Sequence, residues 1–432
     1  MDDRIEDFIG FLDASISPWH MAACLGAGLG GAGYARLDEA GPWALEPGGA
    51  YYVERGASSL VAWRMGFKPP AEAGFVVLAA HTDRPALKLK GLVGAEGEAP
   101  RAAVEVYGSP IVSTWLDRGL AVSGRLQLRA PEGARGVLVD SGGPVGLIPN
   151  LAVHLNRDIN KGFEYNAQEH LQVLLGYDPG SLVTGGGARR DPWGRFVELA
   201  FPESGQALCG ELFFRDARRA ERIGGLVAAQ GIDNAAGCHA ALKAALAASA
   251  GAPAAFTPVF AFFDAEEIGS RMPEGADSGF LRDVLDRIAA VSGEGPEAAP
   301  MARARSFLVS IDAAQAYNPL YPGKYDADHA ARLGGGPALK LAASRSYATG
   351  PEAEARVALA CEREGIGFQK AIFRSDMRPG GTIGPVAASK LGAAAADIGI
   401  PLLAMHSIRE TACSDDQVAM VRLLEGIALR GI

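Results

Sequence analysis

The sequence predicts an α/β fold: a mixed sheet flanked by helices, with a β-rich module inserted into it. Four short, nearly uninterrupted apolar runs lie at residues 75–80, 258–263, 307–311 (broken only by Ser310) and 401–405. Such runs read as strands buried on both faces, as in a parallel sheet. Between about residues 91 and 219 the texture changes to short alternating segments separated by turn-rich stretches, the pattern of antiparallel strands. The division expected is a discontinuous α/β domain, residues 1–92 and 223–432, with residues 93–222 inserted.

Taken in order, Ile5, Phe8, Ile9 and Leu12 follow helical spacing, so the chain opens with an amphipathic helix. The first apolar run follows and delivers His81. Within the insert, Val104-Glu105-Val106-Tyr107, Arg125-Leu126-Gln127-Leu128 and Phe196-Val197-Glu198-Leu199 alternate as strands do. Gly185-Gly186-Gly187 before Ala188-Arg189-Arg190 reads as a mobile surface loop. Residues 237–248 form an Ala-rich helix ahead of the second apolar run. Residues 289–304, rich in Ala, Gly, Pro and Glu, read as an exposed connection. Ser414-Asp415-Asp416-Gln417 is a capping-box pattern opening a last helix that buries Val418, Val421 and Leu424.

At 432 residues the chain has room for two or three domains. A composition 48% hydrophobic and 21% charged is that of a soluble globular protein. The 50 acidic and 41 basic residues give a charge of -9, which argues against a nucleic-acid-binding surface. No apolar stretch approaches the roughly 18–20 residues of a membrane helix. The opening Met1-Asp2-Asp3-Arg4-Ile5-Glu6 is acidic where a secretory signal is basic. Five scattered cysteines without C-x-x-C spacing exclude an obvious disulfide framework or zinc knuckle. A reducing cytoplasm is the simplest location.

Each of the four apolar runs stops at a residue able to bind a metal. They lead into His81-Thr82-Asp83, Asp264-Ala265-Glu266-Glu267, Asp312 and His406. In open α/β sheets, ligands gather beyond the carboxyl ends of such strands. In His81-Thr82-Asp83 the carboxylate can hold the ring in its metal-binding tautomer; the alternative is a polar turn. Adjacent Glu266 and Glu267 repel unless a cation or proton separates their roles. A metal hydrolase uses one carboxylate on metal and a neighbour as base; the alternative is a solvated helix N-terminus. Asp233-Asn234 is either an Asx turn or N-cap or a carboxylate bridging two metals. His20, His170, His239 and His329 lack metal-like context. The glycine-rich stretch from Arg374 to Pro385 opens a helix whose free N–H groups can receive a carboxylate or oxyanion. Without a following Gly-Lys-Ser/Thr it is not a nucleotide loop.

Read together, these segments resemble the aspartyl aminopeptidase family of dinuclear zinc metallopeptidases. The resemblance spans most of the chain in order. It rests on His81-Thr82-Asp83-Arg84-Pro85-Ala86-Leu87-Lys88, Thr114-Trp115-Leu116-Asp117-Arg118, Leu151-Ala152-Val153-His154-Leu155, Asp233-Asn234, Asp264-Ala265-Glu266-Glu267-Ile268-Gly269-Ser270 and Gly336-Pro337-Ala338-Leu339-Lys340. Tyr347-Ala348-Thr349, Gly381-Thr382-Ile383-Gly384-Pro385, Asp397-Ile398-Gly399-Ile400-Pro401 and Met405-His406-Ser407-Ile408-Arg409-Glu410 complete it. The resemblance implies a zinc-peptidase-like catalytic domain and an inserted dimerisation or lid domain.

It also implies a ligand set: Asp233 bridging two zinc ions, His81 and Asp312 completing one site, Glu267 and His406 the other. Manganese or cobalt suits the same ligands. Glu266 becomes the general base, with Asp83 behind His81, and Tyr347 the oxyanion donor. Lys340 reads an acidic N-terminal side chain, with Gly381 and Thr382 as further substrate contacts; Arg84, outside the family pattern, is either one more substrate contact or a salt-bridge partner of a local acid. His154 reaches a neighbouring subunit's site within a homododecamer. Peptides are the partners, with no nucleic acid or membrane.

Four positions depart from the family pattern. Arg84 stands where the family has Ser, Gln315 and Asn318 stand at family His positions, and Ser346 stands at a family Arg. The losses fall around the substrate, while the ligands and base are kept. Two alternatives stay open: a dinuclear carboxypeptidase or deacylase, and an inactive peptide-binding shell.

Overall fold

The computed structural model describes residues 2–94, 99–176, 192–202, 207–293 and 295–432; the Gly185-Gly186-Gly187 stretch and Ala188-Arg189-Arg190 lie outside them. The chain forms two compact units. One comprises Met1–Arg84, Ala220–Met405 and Glu410–Ile432; the other comprises Pro85–Arg219 with His406–Arg409. The second unit begins earlier than residue 93 because strand Ala86–Val93 pairs with Arg101–Tyr107 and Ala207–Asp216.

The first unit is built on a nine-stranded mixed sheet. Its order is Ala35–Arg36, Ala50–Arg55, Ser59–Arg64, Thr257–Phe263, Phe75–His81, Phe307–Ile311, Ala394–Gly399, Ala338–Leu341, Gln369–Ile372. The central four, from Thr257–Phe263 to Ala394–Gly399, are mutually parallel. Antiparallel pairing begins at Ser59–Arg64 on one side and Ala338–Leu341 on the other. Alternating side chains enter two cores, as strand geometry requires. Val76, Leu78 and Ala80 join one with Phe8, Leu25, Ala241 and Leu424. Phe75, Val77 and Ala79 join the other with Phe280, Leu285 and Ile383. Helices therefore cover both faces, which explains why the central strands read as continuous apolar runs.

In the first unit, sequence expectations change at three elements. The run at 401–405 is not a strand of this sheet: Pro401–Leu403 pairs antiparallel with Glu410–Cys413 in a separate five-stranded sheet. Residues 289–304 are partly helical, since helices Phe280–Val291 and Ala298–Ala304 enter from both ends, while residues 295–297 between them are exposed as expected. Ala289, Ala298 and Ala302 are small enough to bury there against the core. Helix Ser414–Arg430 has no side-chain cap bond. Gln417 instead donates to Ala236 O (3.1 Å) and bonds His239 Nδ1 (3.0 Å). This turns Val421, Leu424 and Ile427 fully inward and leaves Val418 half-buried.

The second unit is a seven-stranded antiparallel sheet. A further pairing of Ala207–Asp216 with Leu120–Ala130 closes most of it into a ring, which leaves Gly133–Asp140 as an edge strand. Phe196-Val197-Glu198-Leu199 is helical, within Pro192–Ala200. Trp193, Phe196, Val197 and Ala200 also fit helical spacing, and Phe196 lies 6.0 Å from the Phe214 ring. Among the described residues, no helix is long and apolar enough to cross a membrane.

Candidate metal centre

Sheet register gathers the candidate ligands of the first unit. Phe263 pairs with His81, so the residues after each strand start side by side. Ser310 pairs with Ala79, which brings Asp312, two residues on, level with His81. Asp312 N–H donates to Ile398 O (2.9 Å). Asp233 lies in the first turn of helix Ile232–Ala250, with non-helical φ -80° and ψ 107° and a cis peptide to Asn234. Its N–H donates to Glu410 Oε2 (3.0 Å). Asn234 Nδ2 donates to Ile311 O (2.6 Å), tying this turn to the strand that delivers Asp312.

Glu266 and Glu267 are not on a strand end. The chain turns at Ala265 (φ 62°) into a short 3-10 turn, Glu266–Ile268. Asp83 holds that turn: Glu266 N–H donates to its Oδ1 (3.0 Å) and Glu267 N–H to its Oδ2 (3.1 Å). Asp83 Oδ1 is also 3.3 Å from His81 Nδ1. One buried carboxylate therefore supports the imidazole and both glutamates.

The donor set fits zinc. Ligand atoms at about 2.0–2.1 Å from a tetrahedral ion stand about 3.3 Å from one another. His81 Nε2 is 3.3 Å from Asp233 Oδ1 and 3.5 Å from Asp312 Oδ1. Two sets, His81 with Asp233 and Asp312 and His81 with Glu266 and Glu267, each bring ligand atoms within 4.8 Å of one another.

The electrostatics reflect crowded acids. Burial pushes Glu266 up to about 7, with Asp312, Asp83 and Asp233 adding to the shift and His81 opposing it. Burial, then Asp233, holds Glu267 well above the carboxylate range. Burial disfavours charge on His81, but hydrogen bonds to Asp233, Asp312 and Asp83 outweigh it and raise the ring well above its ordinary value. Burial acts upward on Asp312, yet Lys340 and His81 hold it below the usual range.

Lys340, itself buried, donates to Asp312 Oδ2 (3.2 Å) and Ala313 O (2.9 Å). It lines a cavity of about 310 Å³ together with Gln315, Tyr325, Tyr347, Leu402 and Met405. Tyr347 is buried, its ring centroid 5.1 Å from Lys340 Nζ. The other expected substrate contacts face elsewhere. The buried Arg84 guanidinium donates to the backbone carbonyls of Ser15 and Gln230. Thr382 caps helix Ile383–Leu391 and donates to Asp397 Oδ1 (2.6 Å). The carboxylate beside that helix start is the chain's own Asp397, bonded through the Thr382 hydroxyl and not by a helix N–H, and Gly381 is exposed beside it. Ser346 bonds Ser344 (2.9 Å).

In the second unit, His406 (φ 67°) places Nδ1 3.0 Å from Ser109 O, and its carbonyl accepts from Ile111 N–H (2.9 Å). His154 is exposed. His239 is structural: buried, it bonds Asp7 Oδ2 (2.8 Å) and packs on Phe8 and Phe11. Sequence reasoning assigned no role to Asp397 or Glu410, both fully buried acids. The signal for Asp397 was a lone carboxylate inside the apolar stretch Ala394-Ala395-Ala396-Asp397-Ile398.

Comparison with known proteins shows the family. Residues 11–427 match the family model "Aminopeptidase I zinc metalloprotease (M18)". A "Probable M18 family aminopeptidase 2" of Pseudomonas aeruginosa (strain UCBPP-PA14) is 39% identical over 429 residues, covering 97% of this chain and 96% of that one. Among solved structures, the Ape4 and Nbr1 complex aligns with TM-score 0.92 at 30% identity, over 98% of this chain and 84% of the other. The S. cerevisiae mApe1 dodecamer aligns with TM-score 0.82 at 25% identity, over 98% and 96%. A family model matched over residues 11–427 and relatives covered almost end to end make this protein a member of the M18 family of zinc aminopeptidases.

Proposed function

We propose that this aminopeptidase works with two zinc ions and removes acidic N-terminal residues from peptides. His81 and Asp312 hold one ion, Glu267 and His406 the other, and Asp233 serves both; manganese or cobalt suits the same donors. Bound there, the ions supply water of lowered pKa and polarisation of the scissile carbonyl. Glu266 takes the proton of the attacking water and delivers it to the leaving amine. Tyr347 donates to the developing oxyanion, and Lys340, in the cavity wall, attracts the acidic side chain.

The observation that carries this reading is the shared support at Asp83. The same carboxylate that stands 3.3 Å from His81 Nδ1 accepts the Glu266 N–H at 3.0 Å. This holds the Glu266 backbone beside the ligand cluster, which supports reading its carboxylate as the proton carrier.

Assembly belongs to the same proposal. One similar structure is a dodecamer, and we take a homododecamer as the working form, with His154 acting at a neighbouring subunit. Its flanking residues Leu151, Val153 and Leu155 are 57%, 53% and 75% exposed, which favours a surface that becomes covered. The unpaired cysteines suit a reducing compartment, hence the cytoplasm.

The test is zinc-loaded turnover of aminoacyl chromogenic substrates beside their N-acetyl forms. Cleavage of Asp and Glu substrates ahead of Leu and Lys, with N-acetyl forms inert, is the expected result. Equal rates across the panel would remove the acidic preference. Cleavage of the N-acetyl forms would point to a deacylase.

A further inference from the structure

We propose that Asp397 is a positioning residue for Tyr347, acting through the loop that carries it; this rests on reading Tyr347 as the oxyanion donor. Asp397 is fully buried in the strand Ala394–Gly399, paired in register with Ser310. Its backbone N–H donates to Thr349 Oγ1 (2.9 Å), and its Oδ2 accepts the Ala348 N–H (2.5 Å). The two residues that follow Tyr347 are therefore both anchored to one residue of the central sheet. Residues 342–350 have no helix or strand of their own, so such anchors decide where the Tyr347 ring sits in the cavity wall.

The other carboxylate oxygen is tied to a rigid element. Oδ1 accepts from Thr382 Oγ1 (2.6 Å), the N-cap of helix Ile383–Leu391. A Cβ on Gly384 would lie 2.4 Å from that oxygen, so the carboxylate packs directly on the first helical turn. The helix dipole favours negative charge there. A carboxylate buried in a sheet is costly unless well bonded, and an apolar residue would pack in this strand without the cost. The arrangement locks sheet, helix start and Tyr347 loop together, and an oxyanion donor needs such fixed placement to act.

The experiment is a double-mutant cycle on the zinc-loaded enzyme with Asp397→Asn, Tyr347→Phe and both. Circular dichroism and zinc per subunit serve as controls. Tyr347→Phe is expected to lower kcat on the order of 100-fold. Asp397→Asn is expected to lower kcat about 10-fold with KM within about twofold, and to cost little more in the Tyr347→Phe background. Labelling of Tyr347 by N-acetylimidazole in the metal-free protein, read by mass spectrometry, should rise in Asp397→Asn. Thr349→Ala cuts one anchor and leaves the carboxylate in place. It should show a smaller loss of kcat with the same dependence on Tyr347, and it stands in if Asp397→Asn does not fold. Losses that multiply in the double mutant, with unchanged labelling, would overturn the positioning role while leaving Tyr347 as donor. Wild-type kcat in Tyr347→Phe would overturn the donor reading and the positioning role with it.

Discussion

Asp83 Oδ1 stands 3.3 Å from His81 Nδ1, while His81 Nε2 faces Asp233 and Asp312 at 3.3 and 3.5 Å. The ring is thus held with Nδ1 on Asp83, 3.2 Å from its backbone O and 3.3 Å from its carboxylate, and Nε2 toward the ligand cluster, the arrangement that raises the basicity of a metal-binding imidazole. Asp83→Asn keeps the shape but loses that charge, and also weakens the acceptor for the Glu266 and Glu267 N–H groups. Zinc affinity should fall roughly 10–100-fold, measured by competition with a chromogenic chelator. An unchanged affinity would make Asp83 a turn-former alone.

The clustered acids give the metal-free protein a definite pH response. Glu266 is raised from 4.5 to about 7 by burial, and Glu267 is raised in the same direction. The folded state then binds these protons more tightly than the unfolded chain does. Their stabilising contribution is full below about pH 4.5 and is lost as pH rises through about 7. Chelator-treated protein should therefore lose stability between pH 5 and 7.5. Zinc should restore more Tm at pH 7.5 than at pH 5, because ligands must shed protons to bind it. A rise in metal-free Tm over that interval would contradict the electrostatic account.

Lys340 has two functions in this geometry: it lines the cavity and it neutralises Asp312. Lys340→Ala leaves a buried carboxylate without its nearest cation, a loss of about 3–5 kcal/mol for a buried pair. Zinc should reduce that loss by supplying positive charge. Denaturant melts with and without zinc read the stability effect, and the ratio of Asp to Leu turnover reads the selectivity. Stability equal to wild type in the metal-free variant would show the ion pair to be unimportant.

A Cβ on Gly399 would lie 1.7 Å from Asp312 O, so the strands Phe307–Ile311 and Ala394–Gly399 can approach only over a bare glycine. Gly399→Ala should move Asp312 and cost more than about 3 kcal/mol. Differential scanning calorimetry and zinc content should fall together; a loss of stability with full zinc binding would separate Gly399 from the site.

Much of this was legible in the sequence because the central strands are buried on both faces. Apolar runs ending in His81, Glu266-Glu267 and Asp312 mark both the sheet and its carboxyl edge. The fourth run misled because length and hydrophobicity do not distinguish a central strand from Pro401–Leu403, which lies in another sheet. Phe196 misled because a short amphipathic segment satisfies both periods. Arg84 looked like a substrate contact by charge alone, and only packing shows its guanidinium turned to the carbonyls of Ser15 and Gln230. Asp397 shows in the sequence only as a lone carboxylate in an apolar stretch, because its partners lie 48 and 15 residues away.

The central claim is that Glu266 carries the proton while other residues hold the metal. The most direct measurement is kcat of zinc-loaded Glu266→Gln, taken beside its zinc content. A fall of about 100- to 10,000-fold with the zinc retained is the predicted result. Turnover like that of the wild type would contradict the assignment.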